Sequence, residues 1–118
     1  MGIEYLKNNG VDVQAGLDLL GDIDTYNETL NDFLAEQENR LPALEKYKEE
    51  NDMENYAVQV HAMKSDSKYL GFTKLAELAL EHQLQSQNNN YDYVTTNYDE
   101  LIQEANRIAE IVKEYLKK

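Results

Sequence analysis

Apolar residues recur along this chain in steps of three and four, with no alternating stretch, so the pattern predicts helices and no strand. From Asp22 onward, Ile23, Tyr26, Leu30, Phe33, Leu34, Leu41 and Leu44 fall on one stripe with acidic and amide residues between them, as a long amphipathic helix requires. Pro42 interrupts that stripe. A proline removes a backbone donor and crowds the carbonyl four residues back, so the helix can either kink or restart there. Glu50-Asn51-Asp52 then supplies turn formers, and Asp52 suits the N-cap of the next helix.

That next stripe is Tyr56, Val60, Met63, Ser67 and Leu70, ending at Gly71, where a left-handed C-terminal residue is wanted. Thr73 can cap a further segment in which Leu75, Leu78, Ala79 and His82 share a face, and the polar run Gln85-Ser86-Gln87-Asn88-Asn89-Asn90 closes it. Val94, Tyr98, Leu101, Ala105, Ile108, Val112 and Tyr115 mark a last long helix. Near the N-terminus, Val13, Leu17 and Leu20 lie between Gly10 and Gly21 and predict a brief docking helix. The expected fold is all-α, an antiparallel four-helix bundle with an additional short N-terminal helix. No repeat or linker divides the chain, so residues 1–118 read as one domain with a core over roughly 10–116.

Composition narrows the function more than the fold. The 118 residues carry 23 acidic and 11 basic side chains, a formal charge of −12, which opposes binding to nucleic acid. The absence of cysteine removes disulfides, thiolate nucleophiles and Cys-based metal sites, and no Cys/His/carboxylate spacing suggests a metal centre. With no apolar run long enough to cross a bilayer and no signal-peptide order, a cytoplasmic monomer without membrane contact is expected. No Gly-rich phosphate loop or nucleotide-binding signature is present, so the chain is not expected to bind ATP or phosphorylate itself.

Against that acidic background one cluster stands out. On the helix after Asp52, His61, Lys64, Ser65 and Lys68 fall on the face opposite the apolar row, so His61 is expected to meet solvent beside two lysines. An unprotonated imidazole nitrogen is a nucleophile near neutral pH, and an ammonium one turn away can offset the charge of a phosphoryl group. The same spacing also describes an ordinary surface histidine. His82 continues the Leu75–Leu78 face and reads as a packing residue, as do most of the nine tyrosines.

The run His61-Ala62-Met63-Lys64-Ser65-Asp66-Ser67-Lys68-Tyr69-Leu70-Gly71 resembles the signature of the histidine-phosphotransfer (HPt) domain family. That signature is a histidine, an apolar residue two on, lysine three on, glycine or serine four on, often serine six on, then Leu-Gly and a leucine-spaced helix. Gly16-Leu17-Asp18-Leu19-Leu20-Gly21-Asp22 with Tyr26 resembles the family's N-terminal entry, and Phe33-Leu34 and Leu41-Pro42 resemble its first long helix. The departures are Ser65, where glycine is commoner, and Asp66, an acid close to the site.

The resemblance implies that His61 accepts a phosphoryl group from a receiver-domain aspartyl phosphate and passes it to another receiver aspartate, as a phosphocarrier. Lys64 would stabilise the phosphoryl charge, Ser65 would preserve close approach, and Ser67 would pack or cap the helix. Lys68 and Gly71 would support the site, and Gln83 on the following helix would orient the imidazole. No cofactor is expected on this chain; Mg2+ would come from the partner receiver. The implied partners are response-regulator receiver domains, with a hybrid sensor histidine kinase as a further candidate. Two alternatives remain: a scaffold that docks receivers without transfer, motivated by Asp66, and the phosphoacceptor fragment of a hybrid or chemotaxis-type sensor kinase.

Overall fold

The computed structural model describes residues 2–117, which form six helices and no strand. They are α1 (Ile3–Asn8), α2 (Val13–Leu20), α3 (Ile23–Glu49), α4 (Met53–Leu70), α5 (Thr73–Gln87) and α6 (Tyr91–Leu116). Helices α3 to α6 make the expected antiparallel bundle, each packed on its neighbours in sequence and α3 closing the ring against α6. Two short helices precede it rather than one. Helix α1 is six residues long, has no side-chain cap, and buries little besides Leu6.

The apolar stripes become the core. Tyr56, Val60, Met63, Ser67 and Leu70 of α4 are all fully enclosed, facing Leu30, Phe33 and Leu44 of α3, Leu75 and Ala79 of α5, and Leu101, Ala105 and Val112 of α6. Side-chain oxygens start four of the helices: Asp12, Asp22, Asp52 and Asn90 accept from the amides of Ala15, Thr25, Asn55 and Tyr93 at 2.8–3.2 Å. Thr73 does not cap α5. The residue before the helix is Phe72, which is buried against Phe33 and makes no side-chain cap, because packing of its ring determines the entry.

Pro42 neither ends α3 nor restarts it, since the helix runs through from Ile23 to Glu49. Both Pro42 and Glu38, whose carbonyl loses its partner, lie on the exposed face, where water can hydrate the freed group.

Helices α3 and α6, at 27 and 26 residues, are longer than the α4–α5 hairpin, and α1 and α2 fill the space beyond the hairpin's end. The joint is Gly71, in the left-handed region at φ +86°. A Cβ there would collide with the Asp12 backbone, and the Asp12 amide donates to the Gly71 carbonyl at 2.8 Å. Tyr26 reinforces the joint by donating its hydroxyl to the Leu70 carbonyl at 2.7 Å.

A second tie is polar and central. His82, fully enclosed on α5, pairs its Nε2 with the Asn97 carbonyl of α6 at 3.2 Å and its Nδ1 with the Tyr56 hydroxyl of α4 at 2.9 Å. A carbonyl can only accept, so Nε2 carries the proton and Nδ1 accepts from the tyrosine. Burial holds the imidazole below its ordinary 6.5 despite the opposing pull of the Asn97 carbonyl, Glu100 and Glu81.

Two outcomes follow from these ties. Gly71→Ala combines a left-handed conformation with a backbone collision and should cost roughly 3 kcal/mol in urea denaturation. Gly10→Ala, with positive φ but open space around it, should cost only about 1 kcal/mol. Because the folded state refuses the proton at His82 that the unfolded chain accepts below 6.5, stability should fall as pH drops from about 7.5 to about 5.5. The denaturation midpoint should show that slope, and His82→Asn should flatten it. An unchanged slope would dissociate it from His82.

Candidate functional site

In α4 the enclosed row faces inward, which leaves His61 exposed on the flank that α4 shares with α5. The hairpin turn at Gly71 brings Gln83 of α5 to the same level, and Gln83 Oε1 lies 3.2 Å from His61 Nδ1. An amide oxygen can only accept, so Nδ1 carries the proton in this contact and Nε2 keeps its lone pair. Among the described residues, Nε2 has no hydrogen-bond partner. A shallow cavity of about 630 Å³ opens beside the ring, lined by Glu54, Ala57, Val58, Gln83, Ser86, Gln87 and Asn89.

The other sequence-selected residues divide between surface and core. Lys64 is half-buried and Lys68 exposed on the same flank, further toward α2. Together they line a recess of about 380 Å³ that also contains Ala15, Ala76 and Leu80, with Asp12 and Glu77 at its polar edge. Ser65 does not border the His61 cavity. It lines a neighbouring recess with Leu19, Lys64, Lys68 and Tyr69. Ser67 lies in the core with its hydroxyl unpartnered, and it closes the helix through its backbone instead, its carbonyl accepting from the Phe72 amide at 2.8 Å. Gly71 acts at the turn and touches the site only through the register it sets.

Asp66, the acidic departure, faces α3. Arg40 donates to it at 3.2 Å and to Glu36 at 3.0 Å, and the Arg40 side chain is nearly enclosed. Burial raises the Asp66 carboxyl above its usual range, against the lowering pull of Arg40 and with Glu36 adding to the rise. Its charge is therefore turned away from the histidine flank and shared with a guanidinium.

Five exposed apolar side chains lie off the helical stripes: Val58 one turn before His61 and at its cavity, Leu80 and Leu84 on α5, and Leu19 of α2 with Tyr69 of α4, which share a recess. The signal was present at Leu80 and Leu84, an i,i+4 pair lying off the Leu75–Ala79–His82 face, which buried packing does not account for. Among the described residues, no group of three or more His, Cys, Asp or Glu side chains is placed to hold a metal ion, and no helix is long and apolar enough to cross a membrane.

The family model for the Hpt domain matches residues 28–111, from the first turns of α3 to the last turns of α6, and so takes in the whole hairpin bearing His61 and Gln83. Neither a curated protein nor a solved structure matches the chain. With the match spanning most of the sequence and all four bundle helices, the chain belongs to the Hpt domain family, which performs histidine phosphotransfer in phosphorelay signalling.

Proposed function

We propose that His61 is the phosphoacceptor of this domain, carrying a phosphoryl group between the aspartates of receiver domains. The supporting observation is the exposed imidazole whose Nδ1 faces the Gln83 amide oxygen and whose Nε2 is left unpartnered. The Nε2 lone pair attacks the phosphorus of a receiver aspartyl phosphate in line, the P–O bond breaks, and the aspartate leaves as carboxylate. The reverse reaction at a second receiver returns the electron pair to Nε2.

Each site residue contributes through position. Gln83 holds the ring in the tautomer that exposes Nε2, so no proton has to move before attack. Lys64, on the same flank, offsets phosphoryl charge in a molecule of net charge −12, and Lys68 adds a second ammonium one turn further. Ser65 keeps the neighbouring surface low, and Ser67 and Gly71 support the helix and its turn. Magnesium from the receiver's acidic site would neutralise the remaining oxygens.

Val58 at the His61 cavity, Leu80 beside Lys64 and Lys68, and Leu19 with Tyr69 in the next recess expose apolar side chains suited to a receiver's apolar face, and response-regulator receivers, free or within a hybrid sensor kinase, are the proposed partners. The docking-only alternative drew on Asp66, whose engagement with Arg40 removes its motive.

Mixing the protein with a phosphorylated receiver should give an acid-labile, base-stable label on the wild type and none on His61→Gln. Labelling of the variant at the wild-type rate would move the acceptor elsewhere. Lys64→Ala should slow transfer at saturating receiver by roughly 10- to 100-fold with little change in Kd. Leu80→Glu should raise Kd about tenfold or more while leaving the saturated rate near wild type, as titration calorimetry and rapid-quench kinetics would resolve.

A further inference from the structure

The His61–Gln83 contact is solvent-exposed, 3.2 Å long and made between two helices, so it depends on what fixes those helices beneath it. Directly under it lies the buried polar bridge. His82 immediately precedes Gln83, and Tyr56 lies five residues before His61 on α4. The imidazole of His82 is therefore linked to α4 through the Tyr56 hydroxyl and to α6 through the Asn97 carbonyl. The same turn is locked from its other side by Ser86, also enclosed, whose hydroxyl reaches the carbonyls of both His82 and Gln83 at 2.7 and 3.1 Å. Tyr93 of α6 stacks edge-on against His82 with ring centroids 5.4 Å apart.

These contacts restrict rotation of α5 about its own axis and its sliding along α4. Apolar packing alone is non-directional and tolerates small shifts, whereas the buried Tyr56–His82 hydrogen bond between α4 and α5 sets both their distance and their direction at this level. We infer that Tyr56 and His82 are positioning residues for phosphotransfer: their buried hydrogen bond holds α5 in the register that keeps the Gln83 amide oxygen on His61 Nδ1, and so keeps Nε2 unprotonated and outward. Neither residue touches the phosphoryl group. Their effect reaches the reaction through the tautomer of His61, and this rests on His61 being the phosphoacceptor.

The two halves of the bridge are separable by chemistry. Asparagine places its amide oxygen near the position of Nδ1, so His82→Asn keeps an acceptor for the Tyr56 hydroxyl and gives up the Asn97 link. Glutamine places its amide nitrogen near Nε2, so His82→Gln keeps the donor to Asn97 and gives up the tyrosine. Tyr56→Phe removes only the hydroxyl. Tyr115→Phe is the control, because it deletes a tyrosine hydroxyl bond to Asn27 Oδ1 that joins α6 to α3 and involves neither helix of the hairpin nor its turn.

The measurement is the 15N spectrum of the His61 ring in the full chain, which distinguishes protonation at Nδ1 from protonation at Nε2, followed by the rate of transfer from a phosphorylated receiver. Tyr56→Phe and His82→Gln should shift His61 toward the Nε2-protonated form and slow transfer about tenfold. His82→Asn should stay near wild type in both readouts, and Tyr115→Phe should lose stability without moving either. If Tyr56→Phe leaves the His61 tautomer unchanged, or if Tyr115→Phe moves it equally, the inference is overturned. The spectrum needs no phosphoryl donor. Its failure is therefore distinguishable from failure of the phosphoacceptor assignment, which would appear as a labelled His61→Gln variant. Circular dichroism identifies any variant that does not fold, and the His82→Asn and His82→Gln pair then decides the outcome.

Discussion

The turn at Gly71 and Phe72 is the constraint on which the site depends. In an antiparallel helical hairpin, residues nearly equidistant from the turn stand opposite one another, so the turn's length decides which side chains meet. Ten residues before Gly71 is His61 and twelve after it is Gln83. The left-handed Gly71, its contact with the Asp12 backbone, and the Phe72 ring in the core allow little variation in that count. The short helix α2 therefore bears on the geometry of the site without touching it: its N-cap residue Asp12 holds the end of the hairpin from outside.

Charge follows a similar division between what is held and what is presented. The bundle is strongly acidic, and Glu54 lines the cavity beside His61, but Asp66, five residues after the histidine, is engaged on the opposite side. Asp66 and Glu36 share Arg40, and Glu104, nearly enclosed, takes both guanidinium nitrogens of Arg107 at 2.7 and 2.8 Å. Buried ion pairs of this kind add little net stability, because desolvation offsets their attraction, but they determine where negative charge does not appear. On the α4 flank beyond His61, towards α2, the charges that α4 itself presents are the two lysines Lys64 and Lys68.

Much of this was legible because it depends on local period. The α4 row read from spacing alone is enclosed at every one of its five positions, and the outward phase of His61, the Asp52 cap and the Gly71 terminus follow from the same counting. The failures have physical causes. Helix α1 carries no cap and too short a stripe to register; capping preference favours Thr73 where burial of Phe72 prevails, whereas Ser67, placed in the apolar row and expected to pack or cap, lies in the core as its phase requires. Gln83 was found through the family resemblance and not through spacing. The Tyr56–His82 bond joins residues 26 apart, and His82 could be assigned to the core without any sign of its partners.

A phosphocarrier must work in two directions, which limits how strongly its histidine can be held. A nitrogen made too nucleophilic would retain the phosphoryl group, whereas one left in the wrong tautomer would not accept it. An exposed amide contact at 3.2 Å fixes the tautomer while adding little electron density to the ring, unlike a buried carboxylate partner, which would stabilise the charged imidazolium. Gln83 is neutral, and the enclosed histidine beneath it is neutral as well. On the proposed reading, directionality would be left to the partners, whose own acceptor groups would determine which way the phosphoryl group moves.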